Sequence, residues 1–469
     1  MNVESNNFIP LAQVAIHNPD LQAAVAKGTT NAHVRRLASM YQTSRVHGDA
    51  MRAQAAEAKR RALRQLPDLL ELAEKRLTEN GFTVLWAEDG AEARRHVSEI
   101  VRKHSVKKAI KSKSMLSEEI ALNPHLEAEG VTVVETDLGE YIIQINDEHP
   151  SHIIAPVIHK TKASIRDLFV EKLGMPPTDD AGEMVGFARQ KLRPEYISAD
   201  MGISGGNFII AETGTLALVT NEGNGRMCTS MPRVHVALVG IEKIVETVED
   251  YATLTQVLPR SGTGQLMTVY TSMINGPRRE TEPDGPEHVY VILVDSRRSE
   301  IYATKYAEVL SCIRCGACQN ACPVYRSTGG HAYGWVYGGP IGAVLTPLMV
   351  GLENATPLPH ASSLCGACKQ ACPVDIDLPR MLLDLRHDLA ERGKGGRIYA
   401  VGLRAWMIGN RSPRIFRMGG RAAKVGQRVV GNRLPGPLGN WTKYRDFPKF
   451  AEKSFHELWK EREQARNKN

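Results

Sequence analysis

The stretch Cys312-Ile-Arg-Cys315-Gly-Ala-Cys318-Gln-Asn-Ala-Cys322-Pro323 places four thiols within eleven residues. Three cysteines two residues apart can wrap three corners of an iron–sulfur cube from a single loop. The fourth, set back by three residues and followed by proline, is directed to a second cluster. A zinc ion is satisfied by two CxxC knuckles and gains nothing from a further thiolate alongside.

Fifty residues on, the pattern returns as Cys365-Gly-Ala-Cys368-Lys-Gln-Ala-Cys372-Pro373, with Ser362 in register with Cys312. Under the crossover rule, Cys312, Cys315, Cys318 and Cys372 ligate one [4Fe–4S] cluster. Cys322, Cys365 and Cys368 ligate a second, which lacks one thiolate. Three outcomes follow for that corner: a [3Fe–4S] cluster, a [4Fe–4S] cluster with Ser362 or His360 as an oxygen or nitrogen ligand, or an iron left open or closed by a partner. Interlocked motifs of this kind bring cluster centres within about 10–12 Å, close enough for electron tunnelling.

Working outward, seven of the eight cysteines lie between 312 and 372, and only Cys228 lies elsewhere. A secreted disulfide scaffold is smaller and spreads its cysteines, so the clustering favours metal ligation in a reducing, cytoplasmic compartment. Cys228 reads as a buried structural thiol. The 469 residues are 42% hydrophobic, which excludes a disordered or fibrous chain and suggests roughly three domains. The longest apolar run, Ile341–Leu352, is too short for the about 20 residues of a bilayer span, and the N-terminus does not read as a signal peptide.

Before the cysteines, short β-branched runs alternate with helical patterns. Strands are expected at Thr83–Ala87, Lys108–Lys111, Val131–Glu135, Phe208–Ala211, Leu216–Thr220, His235–Gly240, Leu266–Ser272 and Val289–Val294, and a helix at Gly90–His104. This is an α/β domain, with a mixed sheet expected because its later strands are joined by turns. Gly202, Gly205, Gly206 and Gly214 could form an anion nest near Glu212, Asn221 and Arg226, or simply make turns. Ser117, followed by Glu118 and Glu119, reads as a helix N-cap in a loop that also holds Lys111, Lys113 and Ser114. The N-terminal residues read as a helical arm, with one helix over Arg52–Arg76 and no evident chemistry.

The formal charge of +7 hides an asymmetry. From Arg392 onward there are 19 basic and 5 acidic residues, a net of +14, which leaves −7 for the rest. Between Arg392 and Arg445 there are 13 basic residues and no acidic one. This tail, with helical pieces expected to break at Gly419–Gly420 and Gly431–Gly439, suits an acidic protein or an anionic membrane surface. Its aromatics (Tyr399, Trp406, Phe416, Trp441 and Tyr444) recur with apolar neighbours, as in an interface helix. They could stack on bases, but this pattern makes a nucleic-acid partner the less favoured reading.

The segments Lys113-Ser-Met-Leu-Ser-Glu-Glu119, Ala199-Asp-Met-Gly-Ile-Ser-Gly205, Ala211-Glu-Thr-Gly-Thr-Leu216, Thr220–Arg226 and Pro232–Lys243, with Tyr337–Pro347 between the cysteine motifs, resemble the lactate utilisation protein B family over nearly the whole chain. The resemblance implies an α/β lactate-utilisation domain, similar to sugar-isomerase and CoA-transferase folds, followed by an α-helical ferredoxin domain and a basic helical C-terminal region. It also implies the iron–sulfur electron-transfer subunit of a three-component, NAD-independent system that oxidises L-lactate to pyruvate and passes electrons toward a membrane acceptor. The expected boundaries are 1–66 for the N-terminal helical arm, 67–295 for the α/β domain, 296–390 for the iron–sulfur domain and 391–469 for the basic region. Two other readings compete: a self-contained oxidoreductase acting on a small carboxylate, and a cluster-bearing nucleic-acid binder.

Overall fold

The computed structural model describes residues 3–394, 397–433, 439–443 and 445–467, without the side chains of 397–400, 440 and 441. They form two compact bodies, Met1–Leu389 and Ala390–Asn469.

The first body contains ten strands: β1 (Thr83–Ala87), β2 (Lys108–Lys111), β3 (Thr132–Glu135), β4 (Met201–Ser204), β5 (Phe208–Ile210), β6 (Thr215–Thr220), β7 (Val234–Gly240), β8 (Ile244–Val245), β9 (Tyr270–Ile274) and β10 (His288–Val294). Six of them pair in the order β1-β10-β7-β4-β2-β3, parallel throughout. β7 is buried at every position and β10 at all but His288, as expected where both faces of a parallel sheet are covered. The helix Gly90–His104 covers β1 and β10. Asp89 caps it by accepting from Glu92 N, and Ala93, Val97, Ile100, Val101 and His104 form its buried stripe.

The mixed sheet expected from the later strands is a separate one, β8-β5-β6-β9, in which β5–β6 and β6–β9 are antiparallel. β5 and β6 are joined by a tight turn, which permits only antiparallel pairing. Gly214 in that turn has φ +64°, and a Cβ there would lie 2.4 Å from the Arg76 carbonyl carbon. Two strands escaped the sequence reading, β4 and the two-residue β8. β4 carries Gly202, whose missing Cβ admits the carbonyl of Cys228; a Cβ would lie 1.7 Å from that oxygen. The strand expected at Leu266–Ser272 lies at Tyr270–Ile274.

The expected helix over Arg52–Arg76 is two helices, Arg45–Arg64 and Leu66–Glu79, separated at Gln65. Pro67, with no N–H and a ring that collides with a preceding carbonyl, sits at the start of the second. The N-terminal helices are part of the first body: Pro19–Met40 packs on Ala317–Ala321 and Pro323–Thr328, and one apolar core runs from Phe8 to Leu389. The apolar run near 341–352 forms a buried helix, Gly339–Val350. No helix among the described residues is long and apolar enough to cross a membrane.

The second body is helical: Arg397–Asn410, Pro413–Val430, Gly439–Thr442 and Phe455–Arg466. The break expected at Gly419–Gly420 is absent, because the helix Pro413–Val430 runs through both glycines. Glycine weakens a helix interior by about 1 kcal/mol without forbidding it. The break expected at Gly431–Gly439 falls partly on residues outside those described, as does Tyr444.

Candidate metal centre

The two cysteine motifs fold as structural repeats. Each turns through a left-handed residue (Arg314, φ +58°; Leu364, φ +56°) and a left-handed glycine (Gly316, φ +71°; Gly366, φ +82°). Each then forms a one-turn helix (Ala317–Ala321; Ala367–Ala371) and ends on an extended cysteine before proline. Backbone N–H groups point at the sulfurs. Arg314 N donates to Cys312 Sγ (3.4 Å) and Ile376 N to Cys372 Sγ (3.4 Å).

The repeats lie against each other through their short helices, which brings the thiols of both motifs close enough to act on one another. Burial raises Cys315 to about 12, with Cys372 and Cys312 adding to it; burial raises Cys372 to about 11, with Cys312 adding again. Burial pushes Cys318 well up, helped by Cys312, Cys315, Cys368 and Cys372. Cys322 is raised by burial with Cys365 beside it, and Cys368 to about 12 by burial with Cys322 and Cys365. Cys312, Cys315, Cys318 and Cys372 thus act on one another, as do Cys322, Cys365 and Cys368, and Cys318 also feels Cys368. Cys365 is exposed, whereas Cys315 and Cys372 are buried.

Ser362 occupies the place of Cys312 in the second repeat. Leu364 N donates to Ser362 Oγ (3.1 Å), as Arg314 N donates to Cys312 Sγ. Arg386 fixes this loop by donating to the carbonyls of Pro359 (2.8 Å) and Ser362 (3.0 Å). His360 stands at the surface in a 3-10 turn, its ring only partly covered, and this partial cover and Arg386 lower its imidazole.

The donor set fits clusters better than single ions. Among the described residues, the one group of three metal-binding side chains with donor atoms all within 4.8 Å is Glu118, Glu135 and Glu140. A zinc at about 2.3 Å from each thiolate would draw the sulfurs to about 3.8 Å apart, so the cysteines are spread for something larger. The glutamate trio is already engaged: Lys111 Nζ lies 2.6 Å from both Glu118 and Glu135. A second observation agrees. Arg36 is 2% exposed, its Nε and Nη2 have no hydrogen-bond partner, and negative charge at Cys315 and Cys372 would favour its charged form. An anionic, thiolate-bound cluster would answer that buried charge.

Other cations surround the first thiol set, and the sequence reading missed them. Arg52 donates to the Cys372 carbonyl from Nε (3.2 Å) and Nη2 (2.9 Å). Lys59 donates to the carbonyls of Glu242 (2.8 Å) and Ile244 (3.2 Å), and burial lowers it to about 7. Arg52 and Lys59 are seven residues apart on one helix face, so cations interrupting an apolar stripe were the available signal.

An ion-pair network joins the α/β segment to the cysteine segment. Arg298 binds Glu119 through two nitrogens (3.0 and 2.9 Å) and Glu242 through Nε (2.7 Å). Tyr337 donates to Glu119 (2.7 Å), and Arg314 lies over the Tyr337 ring and reaches Glu242 (3.4 Å). Burial pushes the Glu242 carboxyl up, but Arg298, Lys243 and Arg314 outweigh it and hold it down at about 2.

Beside this network is a cavity of about 440 Å³, lined by the loops after β2, β4 and β7. Of the residues suggested for an anion site, Gly205, Gly206 and Asn221 line it. Glu212 instead accepts from Val248 N (3.1 Å), and Arg226 stacks on Tyr270. The loop after β2 is capped by Ser114, which accepts from Ser117 N (3.3 Å), rather than by Ser117. Ser117 donates to the Ser114 carbonyl and faces Lys111. Cys228 is buried beside Thr136.

Comparison with known proteins agrees with this architecture. Residues 70–294 match the LUD domain, 308–376 a 4Fe-4S dicluster domain, and 386–464 the family described as lactate utilisation protein B, C-terminal. The chain is 41% identical to lactate utilization protein B of Geobacillus sp. (strain WCH70), covering 100% of both. It is 40% identical to that of Bacillus velezensis over 99% of both, and 40% identical to that of Bacillus subtilis over 99% of this chain and 98% of the other. A crystal structure of a DUF162 family protein from Deinococcus radiodurans covers 49% of this chain and 98% of its own at 16% identity, with a TM-score of 0.27, a likeness too slight to carry weight. Fold and motifs define a LUD-domain protein fused to a four-iron–four-sulfur dicluster domain. The chain belongs to the lactate utilisation protein B family.

Proposed function

We propose that this chain is the iron–sulfur electron-transfer subunit of a multi-component system that oxidises L-lactate to pyruvate. Cys312, Cys315, Cys318 and Cys372 would hold one cluster. Cys322, Cys365 and Cys368 would hold the second, with the Ser362 hydroxyl at its fourth position. Bound there, such clusters supply one-electron transfer. The observation that carries the reading is that the two thiol motifs lie against each other, with none of Cys312, Cys315, Cys318 and Cys372 exposed and Cys365 of the other set at the surface. The first set is linked to the α/β segment through Arg314 and Lys59, which bind Glu242 and Ile244; the exposed Cys365 of the second suits a partner that accepts electrons.

The helix Pro413–Val430 supports docking to an anionic membrane surface. At 3.6 residues per turn, Arg414, Arg417, Arg421, Lys424 and Arg428 fall within an arc of about 80°. Ile415, Met418, Val425, Val429 and Val430 occupy other angles; all are exposed, and the helix contains no acid. An apolar face flanked by cations matches an interfacial helix. Arg421 reaches Glu457 (3.6 Å) within the same body, which leaves the apolar face uncovered there.

The test is co-purification with the native partners under anaerobic conditions, followed by EPR after adding L-lactate. Lactate-dependent reduction of this chain's clusters in the assembly, absent in the isolated chain, supports the reading. Turnover of lactate by the isolated chain with an artificial acceptor would replace it with the self-contained enzyme.

A further inference from the structure

The cavity lies where ligands bind in parallel α/β folds, outside the carboxyl ends of the strands, and its size of about 440 Å³ is that of a small-molecule site. Its two ends differ in charge balance. At one end Lys113 donates to the Ile154 carbonyl and faces Asp137 and Glu222. At the other end Glu242 is the only acid in the lining, and Arg298 and Arg314 already share it. Lys243, also in the lining, makes no hydrogen bond or ion pair with the described residues. Arg314 Nη1 is buried without a partner. Two cationic residues therefore line the same cavity, Lys243 without a partner and Arg314 with one buried donor unused, which a low-dielectric interior disfavours.

We propose that this end of the cavity binds the carboxylate of a small organic acid between Lys243 and Arg314, beside Cys312. A monoanion answers the two free donors. A dianion or polyphosphate would meet Asp137, Glu222 and Glu242 in the walls. The ligand would thus sit between the α/β segment and the first thiol set, giving the chain a carboxylate-sensing or substrate-receiving site of its own. The choice of probes rests on the function proposed above; the site rests on the unpartnered Lys243 and the unused Arg314 donor.

The experiment is isothermal titration of the full-length, anaerobically purified chain with L-lactate, pyruvate and acetate, with inorganic phosphate as the dianion control, and with iron measured in the same samples. One carboxylate per chain is expected to bind. Lys243→Met should weaken binding by about tenfold or more, whereas Arg314→Lys, which keeps the charge, should weaken it less than Arg314→Met. Thermal melts of each variant separate lost binding from lost folding, and a variant whose melt is unchanged is the one scored. Absence of carboxylate binding at millimolar concentration, unchanged affinity in Lys243→Met, or equal binding of phosphate would overturn the proposal. Carboxylate binding by an iron-free chain would uphold the site and remove the cluster reading instead.

Discussion

Ser362 stands in the second cysteine repeat where Cys312 stands in the first. Each accepts a hydrogen bond from the backbone N–H two residues on, at 3.1 Å from Leu364 and 3.4 Å from Arg314. The loop is therefore already shaped for a ligand atom at this position. Ser362→Cys should give a full four-thiolate set without loss of folding, with higher iron retention during chelator challenge than wild type. Ser362→Ala should lose iron from the second set first. Identical iron release from all three proteins would remove Ser362 from the ligand set.

Arg52 ties the N-terminal helix to the last cysteine by donating twice to the Cys372 carbonyl. Hydrogen bonds from a charged donor contribute about 1.5–3 kcal/mol. Arg52→Met should lower unfolding free energy by about 2 kcal/mol in urea and speed loss of visible absorbance under chelator. An unchanged urea midpoint would show that the N-terminal helices only cover the module.

Much of this was legible beforehand, for reasons that are local. Thiol spacing is fixed by the chain, so both motifs and the vacancy at Ser362 could be read directly. The helix Gly90–His104 carries its own cap and stripe. What escaped was set by contacts distant in sequence. β4 depends on Gly202 meeting Cys228, and β8 on pairing with β5. Arg36, Arg52 and Lys59 acquire meaning only when the N-terminal helices pack against residues more than 180 positions away. The run through Gly419–Gly420 failed the opposite way: a local breaker was outvoted by the rest of its helix.

His235, in the middle of the parallel sheet, is held down to about 4 by burial, and its Nε2 meets Ser204 Oγ at 2.8 Å. The unfolded chain takes up a proton near 6.5, the folded chain only near 4. The stability this gives is fully present above about pH 6.5 and is lost as pH falls toward 4, a change of about 3 kcal/mol from this residue. His152 and His159, lowered to about 3 and about 4 chiefly by burial, act in the same direction. Urea unfolding between pH 7 and 5 should show declining stability, with a shallower slope in His235→Leu. Equal slopes would contradict the assignment.

The helix Pro413–Val430 should direct the chain to vesicles containing anionic lipid and not to neutral ones, with binding weakened by salt. Replacing Arg414, Arg417, Arg421, Lys424 and Arg428 with Gln should abolish sedimentation with vesicles. Val429→Asp should do so while keeping most of the charge. Retained binding in both would assign docking to another surface.

The central claim is that seven cysteines hold two clusters in adjoining sets. Iron and acid-labile sulfide measured on the anaerobically purified chain, with EPR of the oxidised and reduced states, test it most directly. The account gives about seven to eight iron atoms and about eight sulfides per chain, and two interacting signals on reduction. A single fully occupied cluster, or a colourless chain without iron, would contradict it.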